Sequence, residues 1–267
     1  MTGSNQEYRE LTARIEDNIS ASEGGMLTAT KFLSPAEGYY AEKFLASRGI
    51  KRGILYGGFD GAERCRLIVL PAYLDGLDLS PAELLKEYFA DESDGLVRAV
   101  KIVGSGYREL SHRDYLGSIL ALGVEREAVG DIVVSDSRMA YVFVIDSVAK
   151  LMISGLERIG NDKVKVEMVA IDESFTFKRE FRSLSDTVAS ARFDCVVSSL
   201  ANLSRDKAQN LIGSGVCLLN YAEEIKCDKT VRNGDIITLR GYGKFIIRDI
   251  NTQTKKGRLR LLADKYV

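Results

Sequence analysis

The sequence predicts an α+β protein of three regions: a mixed α/β N-terminal part over residues 1–90, a ferredoxin-like middle domain over 91–177, and a C-terminal module of a helix pair plus a small sheet over 178–267. Three observations predict it. The middle third reads β-α-β-β-α-β, the order of the split βαβ. Two Ser-Pro-Ala-Glu helix starts flank a hairpin pattern in the first third. The last third holds two short amphipathic helical patterns followed by four short β-branched runs. A chain of 267 residues is long enough for two or three compact domains.

From the N-terminus, the first residues predict two helices. Ser34-Pro35-Ala36-Glu37 and Ser80-Pro81-Ala82-Glu83 each supply a capping hydroxyl, a proline at the first helical position and a glutamate three residues after the cap. Both therefore open helices. Between them, Ile54 to Phe59 and Arg64 to Leu70 read as strands of a hairpin turning near Asp60-Gly61.

In the middle region Val97 to Val103 is a β-branched run, and Ser111 to Gly123 is helical with Tyr115, Ile119 and Leu122 on one stripe. Asp131 to Val134 and Ala140 to Ile145 are strands, Ser147 to Ile159 is helical, and Lys163 to Ala170 alternates as a last strand. Tyr141 and Phe143 fall on one face of the third strand, where RNA-recognition domains of this topology carry stacking aromatics. With Lys101 they form a secondary RNA-contact expectation, weighed against the plainer reading of core packing. His112-Arg113-Asp114 resembles a kinase catalytic loop, but Ile119 replaces the metal-binding Asn and no D-F-G sequence exists. Ser111-x-x-Asp114 is better read as a capping box.

In the C-terminal region Phe193, Val196, Val197 and Leu200 form one helical stripe, and Ser204 caps a second helix with Ala208, Leu211 and Ile212 buried. Arg192, Arg205 and Lys207 are expected beside one another, with Gln209 one turn beyond Arg205. Strands follow at Val216–Leu219, Ile236–Arg240, Phe245–Ile250 and Leu259–Leu262. The formal net charge of −1 hides a division, because residues from Lys178 onward carry 17 Lys+Arg against 10 Asp+Glu. Between Arg240 and Arg260, seven cations face one acid, Asp249. Such a concentration repels itself unless an anion neutralises it, which points to a polyanion partner.

Composition excludes several classes. The longest apolar runs, such as those that include Leu67–Leu70 and Tyr141–Ile145, are far below the roughly 18 residues of a membrane span. The polar start, Met1 to Ser20, lacks the pattern of a secretory signal, so a cytoplasmic location is expected. Cys65, Cys195, Cys217 and Cys227 have no C-x-x-C spacing, and the single histidine, His112, is remote from them in sequence. Reduced thiols, no metal and no cofactor are expected.

Arg192-Phe193-Asp194, the run Leu203 to Ile212, Gly215, Asn220 and Gly234-Asp235-Ile236-Ile237 together resemble the S4 RNA-binding domain. The segments His112 to Gly117, Gly130-Asp131-Ile132, Ala140 to Val144 and Val164 to Glu167 are similar to the YlmH family, which places an S4 domain after an N-terminal region and an RNA-binding domain. The resemblance covers nearly the whole chain and is thinnest in the first third. It implies a monomeric, non-catalytic cytoplasmic protein that contacts ribosomal RNA and tRNA on the large subunit, in quality control of subunits obstructed by peptidyl-tRNA. It also implies RNA contacts at Arg192, Ser204, Arg205, Lys207, Gln209 and Asn220, with Arg240, Lys244, Lys255, Lys256 and Arg258 on phosphates. Two residues depart from the S4 pattern: Tyr221 stands where Gly usually follows the Asn, and Val216 where a basic residue is common. Tyr tolerates positive φ less well than Gly, which argues against the usual turn geometry, and against an RNA contact, at Asn220.

Two other classes compete. A pseudouridine synthase or methyltransferase can carry an S4 domain, but usually places it first, and residues 1–177 look too small for those catalytic folds. A tyrosyl-tRNA synthetase fragment would carry it last, but H-I-G-H and K-M-S-K-S are absent.

Overall fold

The computed structural model describes residues 3–89, 95–171, 181–255 and 257–266, the first five of these by backbone alone. The chain divides into two compact units, Met1–Phe177 and Lys178–Val267. Among the described residues no helix is long and apolar enough to cross a membrane.

The first unit opens with one 21-residue helix, α1 (Gly3–Glu23), where two were expected. Gly24 and Gly25 end it, Gly25 at φ 87°, and the chain turns directly into strand β1 (Thr28–Leu33). That strand was not expected: after its polar Thr-Ala-Thr-Lys start, Phe32 packs toward the middle region and Leu33 under α1 and α2, so it is buried on both sides and shows no alternation. The Ser34 and Ser80 boxes both form and open α2 (Pro35–Ser47) and α3 (Pro81–Tyr88). Each cap contributes about 1 kcal/mol. Between them β2 (Gly53–Tyr56) and β3 (Cys65–Val69) make the expected hairpin, and β1 adds antiparallel to β3. Helices α1 and α2 bury Leu11, Ile15, Ala41 and Leu45 on one side of this sheet, while Leu84 and Leu85 of α3 pack on Ile68 and Leu70.

The middle region has the predicted connectivity: β4 (Arg98–Gly104), α4 (His112–Leu120), β5 (Val129–Asp136), β6 (Met139–Val144) and α5 (Asp146–Gly155). The short β7 (Arg158–Ile159) and then β8 (Asp162–Val169) follow. The strands run in the order β5-β6-β4-β8-β7, all neighbours antiparallel, which is the spatial order of a split βαβ with one added hairpin. Helix α5 stops at Gly155, short of the expected Ile159, because Arg158 and Ile159 pair back onto β8. Even-numbered residues such as Val100, Ile102, Val142 and Val144 pack under α4 and α5. Odd-numbered Val97, Ala99 and Phe143 point the other way, onto Phe32 of the N-terminal sheet.

This second packing joins the two sheets of the first unit. A Cβ at Gly130 would lie 2.5 Å from the Phe32 ring, and one at Gly58, held at φ 98°, would lie 2.4 Å from Phe143, so two phenyl rings fit against two glycines. Arg66 donates from Nε to the Thr30 carbonyl at 2.5 Å and from Nη1 to the Leu96 carbonyl, and burial pushes its pKa down to about 10. Asp131 accepts the backbone N–H groups of Glu63 and Arg64 at 2.6 and 3.2 Å.

The second unit is a six-stranded antiparallel sheet, ordered β11-β10-β12-β13-β14-β9, with two helices on one face. Its elements are β9 (Phe181–Val188), α6 (Phe193–Leu200), α7 (Arg205–Gly213), β10 (Cys217–Leu219), β11 (Ala222–Glu223), β12 (Ile236–Leu239), β13 (Gly243–Asp249) and β14 (Leu259–Tyr266). The helical stripes are buried as predicted, with Phe193, Val196, Val197, Ala208 and Ile212 at 0% exposure. Strand β9 escaped the sequence reading because only Leu184 and Val188 on it face the core; eight residues of pairing with β14 hold it.

The turn at Asn220-Tyr221 corrects the expectation drawn from Tyr221. Both residues are left-handed, at φ 50° and 67°, so β10 and β11 are joined by the two-residue turn that Gly usually serves. Two features offset the strain at Tyr221. The Asn220 amide donates to Asp235 at 2.8 Å and its oxygen accepts from the Ile236 N–H at 2.9 Å, and the Tyr221 ring lies 5.2 Å from the Lys244 ammonium.

Candidate nucleic-acid interface

The first turn of α6 places Asp194 on the buried stripe, three residues before Val197, so the acid enters the core with no exposed surface. A buried carboxylate requires partners. Arg192, the N-cap residue of α6, donates from Nε and Nη2 to the two oxygens, each at 3.2 Å. Arg205 donates from Nε and Nη2 at 3.0 Å, and Gln209 from Nε2 at 3.0 Å. The Cys195 backbone N–H adds a bond at 2.9 Å. Burial pushes the Asp194 carboxyl up, but the hydrogen bonds from Arg192, Gln209 and Arg205, together with the charge of Arg205, overcome it and hold the group well below the usual carboxylate range.

This arrangement clasps α6 to α7 and sets two guanidinium planes. Each arginine commits two of its five N–H donors to Asp194, and the side chains of Arg192 and Arg205 keep 42% and 53% of their surface exposed. Two cations and one anion leave a net positive charge, and exposed Lys207, two residues after Arg205 on α7, adds to it. Ser204 caps α7 by accepting the Lys207 N–H at 3.4 Å. Outward donors fixed by an inward carboxylate suit recognition of phosphate oxygens.

The remaining sites expected from sequence separate into two ends of the sheet. Lys255 and Arg258 lie in the connection from β13 to β14, where both are exposed and Arg258 donates to the Thr187 carbonyl at 2.6 Å. Leu259 pairs with Val188, four residues before Arg192, so this connection belongs to the same end as the N-terminus of α6. Arg240 and Lys244 lie at the other end of β13, about 20 Å away along a strand of this length. The sequence joined all these cations into one hairpin patch, but strand length divides them. Asn220 spends its amide inside the fold, and Lys256 lies outside the described residues. Asp194 itself was missed as a site residue. An acid in a first helical turn reads as a dipole partner, and its spacing to Val197 was the signal that it faces inward.

Residues 97–173 match the family model described as "Putative RNA-binding domain in YlmH". By sequence the chain resembles the YlmH family. A relative from Bacillus subtilis (strain 168), "Ribosome-associated protein quality control protein P2", is 26% identical over 238 residues, which cover 88% of this chain and 86% of that protein. The solved structure "Cell division protein ylmH from Streptococcus pneumoniae" superposes with a TM-score of 0.46 at 19% identity, covering 61% of this chain and 92% of that one.

Within the YlmH-type domain the secondary contacts expected on the sheet face need correction. Phe143 is fully buried, its ring centroid 4.7 Å from that of Phe59, so it has no face left for a base. Tyr141 is half-buried against the same cluster, and Lys101 is paired with Glu167 at 3.7 Å. The sheet is covered on both faces because the N-terminal region occupies the side that a free-standing domain would expose. The prominent ring of the YlmH-type domain is instead Tyr107, 84% exposed on the connection from β4 to α4. Its neighbour Arg108 donates to Asp114 at 2.8 Å, and exposed Arg138 lies across Gly106. Asp114 also closes the predicted capping box, accepting from the Ser111 N–H at 2.8 Å.

Proposed function

We propose that this chain is a non-catalytic RNA-binding protein that associates with the large ribosomal subunit, contacting ribosomal RNA and tRNA during quality control of obstructed subunits. The observation that carries the reading is the Asp194 clasp, which presents two half-exposed guanidiniums in fixed orientation. Phosphate oxygens meet such donors at a helix N-terminus without any reacting group. The printed name of the Bacillus subtilis relative supports the ribosomal setting, and the match over residues 97–173 supports RNA as the ligand.

In this reading Arg192, Arg205, Lys207 and Gln209, with Ser204 at the helix start, form the principal contact. Lys255, Lys256 and Arg258 extend it along backbone phosphates. Asn220 contributes by shaping its turn, while Arg240 and Lys244 meet a separate stretch of RNA. The YlmH-type domain contributes through the Tyr107 connection and its arginines, since its sheet faces are covered.

Cosedimentation of the full chain with purified large subunits tests the proposal. Arg205→Lys combined with Lys207→Gln is expected to reduce association roughly tenfold or more, because the outward guanidinium donors are lost while a cation stays beside Asp194, and circular dichroism checks that the fold is retained. Unchanged association would overturn it. A turnover assay on ribosomal or transfer RNA that depended on His112 or Asp114 would overturn the non-catalytic part.

A further inference from the structure

We infer that the open edge of β2 binds an extended, basic and apolar peptide segment of a partner protein as a fourth strand of the N-terminal sheet. The sheet order β1-β3-β2 leaves β2 with one neighbour. The Leu70 N–H donates to the Arg52 carbonyl at 3.0 Å, so Arg52, Ile54 and every second residue turn their backbone groups toward β3. Gly53 and Leu55 alternate with them in register. Their N–H and C=O groups point to the open edge, where the described residues offer them no partner. The strand reads Gly-Ile-Leu-Tyr, with neither the charge nor the proline that usually protects such an edge.

Along this edge is a hollow of about 600 Å³, walled by Leu45 and Ala46 of α2 and by Ala82 at the start of α3, with Ile54 and Leu55 on its floor. Leu55 packs with the α2 side of the sheet and Ile54 with the α3 side, so the hollow lies at the sheet edge between the two helices. An added strand would alternate its side chains into the same two sides. A floor set back between two walls takes a single extended segment better than the same edge of a second copy, whose own helices would meet these first. Charge selects the segment. Glu42 lines the hollow from α2 with no hydrogen bond or ion pair among the described residues, and desolvation pushes its carboxyl up, offset only in part by Lys43. A Lys or Arg of the segment supplies the missing cation. Lys51 also lines the hollow but precedes β2 by two residues, so Glu42 is the charge alongside the strand. The first unit as a whole carries 28 Asp+Glu against 20 Lys+Arg, which favours a basic partner over nucleic acid at this edge. The surface does not depend on the RNA contacts proposed above.

The test pans a display library of random peptides against the full chain, with Ala46→Trp as the counter-target. Ala46 is exposed on α2, so the indole fills the hollow without entering the core. Peptides with apolar residues at alternate positions and a Lys or Arg among them are expected to emerge. Synthetic copies should bind Ala46→Trp roughly tenfold or more weakly than the wild type. Glu42→Gln should weaken them by about two- to fivefold. Methylation of the peptide's backbone nitrogens separates strand addition from apolar contact alone: at alternate positions it should abolish binding, and at the positions between it should be tolerated. Absence of any peptide that discriminates against Ala46→Trp, or equal tolerance of methylation at every position, would overturn the inference. Should circular dichroism show Ala46→Trp unfolded, Ala82→Trp closes the hollow from the other wall, also from an exposed position. A wild-type dimer in analytical ultracentrifugation that the tryptophan dissociates would assign the edge to a second copy and overturn the inference as well.

Discussion

Arg205 directs both Nε and Nη2 to a single oxygen of Asp194, each at 3.0 Å, with the carboxylate fully enclosed and the guanidinium half exposed. The contact crosses from α7 to the first turn of α6, so one side chain both fastens a helix pair and presents donors outward. An exposed ion pair would contribute little to stability. This one differs because its acid is buried and shared with Arg192 and Gln209.

Removing the acid separates the two roles. Asp194→Ala is expected to destabilise the C-terminal unit by about 3 kcal/mol, since it leaves two clustered guanidiniums without their partner. Asp194→Asn keeps the volume and should lose less stability. Urea unfolding followed by circular dichroism gives both numbers. RNA affinity of the Asn variant, measured where it is folded, should still fall, because its arginines lose their fixed planes although no cation is removed. Full affinity in that variant would show that orientation of the guanidiniums does not matter.

Acid should expose the same group. The folded-state pKa of Asp194 is lowered, so its stabilisation is complete above the unfolded carboxyl value of about 4 and is lost as pH falls from there toward the folded value. Asp249 and Asp264 are lowered as well, by bonds from Thr252 and from Ser183 and Arg248 respectively, and add to the slope. The part due to Asp194 is the difference between wild type and Asp194→Asn. Stability of the wild type should decline more steeply between about pH 4 and pH 2, and parallel curves would contradict the assignment.

What was legible in the sequence follows from whether its cause is local. The capping boxes at Ser34, Ser80 and Ser111 are four-residue devices, and all of them form. The stripe from Phe193 to Leu200 and the βαββαβ order rest on periodicity within single elements, and both are found. Strands β1 and β9 were missed because their inner faces are short and their partners, β3 and β14, lie far along the chain. The alternation of Tyr141 and Phe143 was read correctly, but what covers that face is a sheet from another region, which no local pattern announces. For the candidate site, the residue types at Arg192, Arg205 and Gln209 were legible, and their convergence on Asp194 required the angle between two helices.

The contact between Gly58 and Phe143 gives a direct check of that covered face. Gly58→Ala must place a methyl where the ring is, at a backbone φ of 98° that alanine disfavours, and should cost at least about 2 kcal/mol. Phe143→Ala should cost about 3–5 kcal/mol through the cavity it leaves. Denaturant midpoints of the full chain measure both. RNA affinity of the folded Phe143→Leu variant should equal that of the wild type, and a selective loss of affinity with little loss of stability would return Phe143 to the binding surface.

Salt distinguishes phosphate contact from stacking, and the Arg192–Arg205 side of the C-terminal unit should answer strongly. Each phosphate neutralised by Lys or Arg releases condensed counterions, so the logarithm of affinity falls linearly with the logarithm of salt concentration. For a structured RNA engaging the Arg192–Arg205 side, a slope equivalent to about four to seven contacts is expected, fewer than the cations present because Arg240 and Lys244 lie at the far end of β13 and Arg248 is paired with Asp264. Lys255→Gln combined with Lys256→Gln should lower it by roughly one to two contacts and weaken every RNA alike, since lysines in a connection between strands position a backbone without reading bases. Titrations of the wild type and of the double variant across one salt series test this. A slope unchanged in the double variant would show that these lysines do not reach phosphate, and an affinity nearly independent of salt would show that phosphate contacts do not dominate.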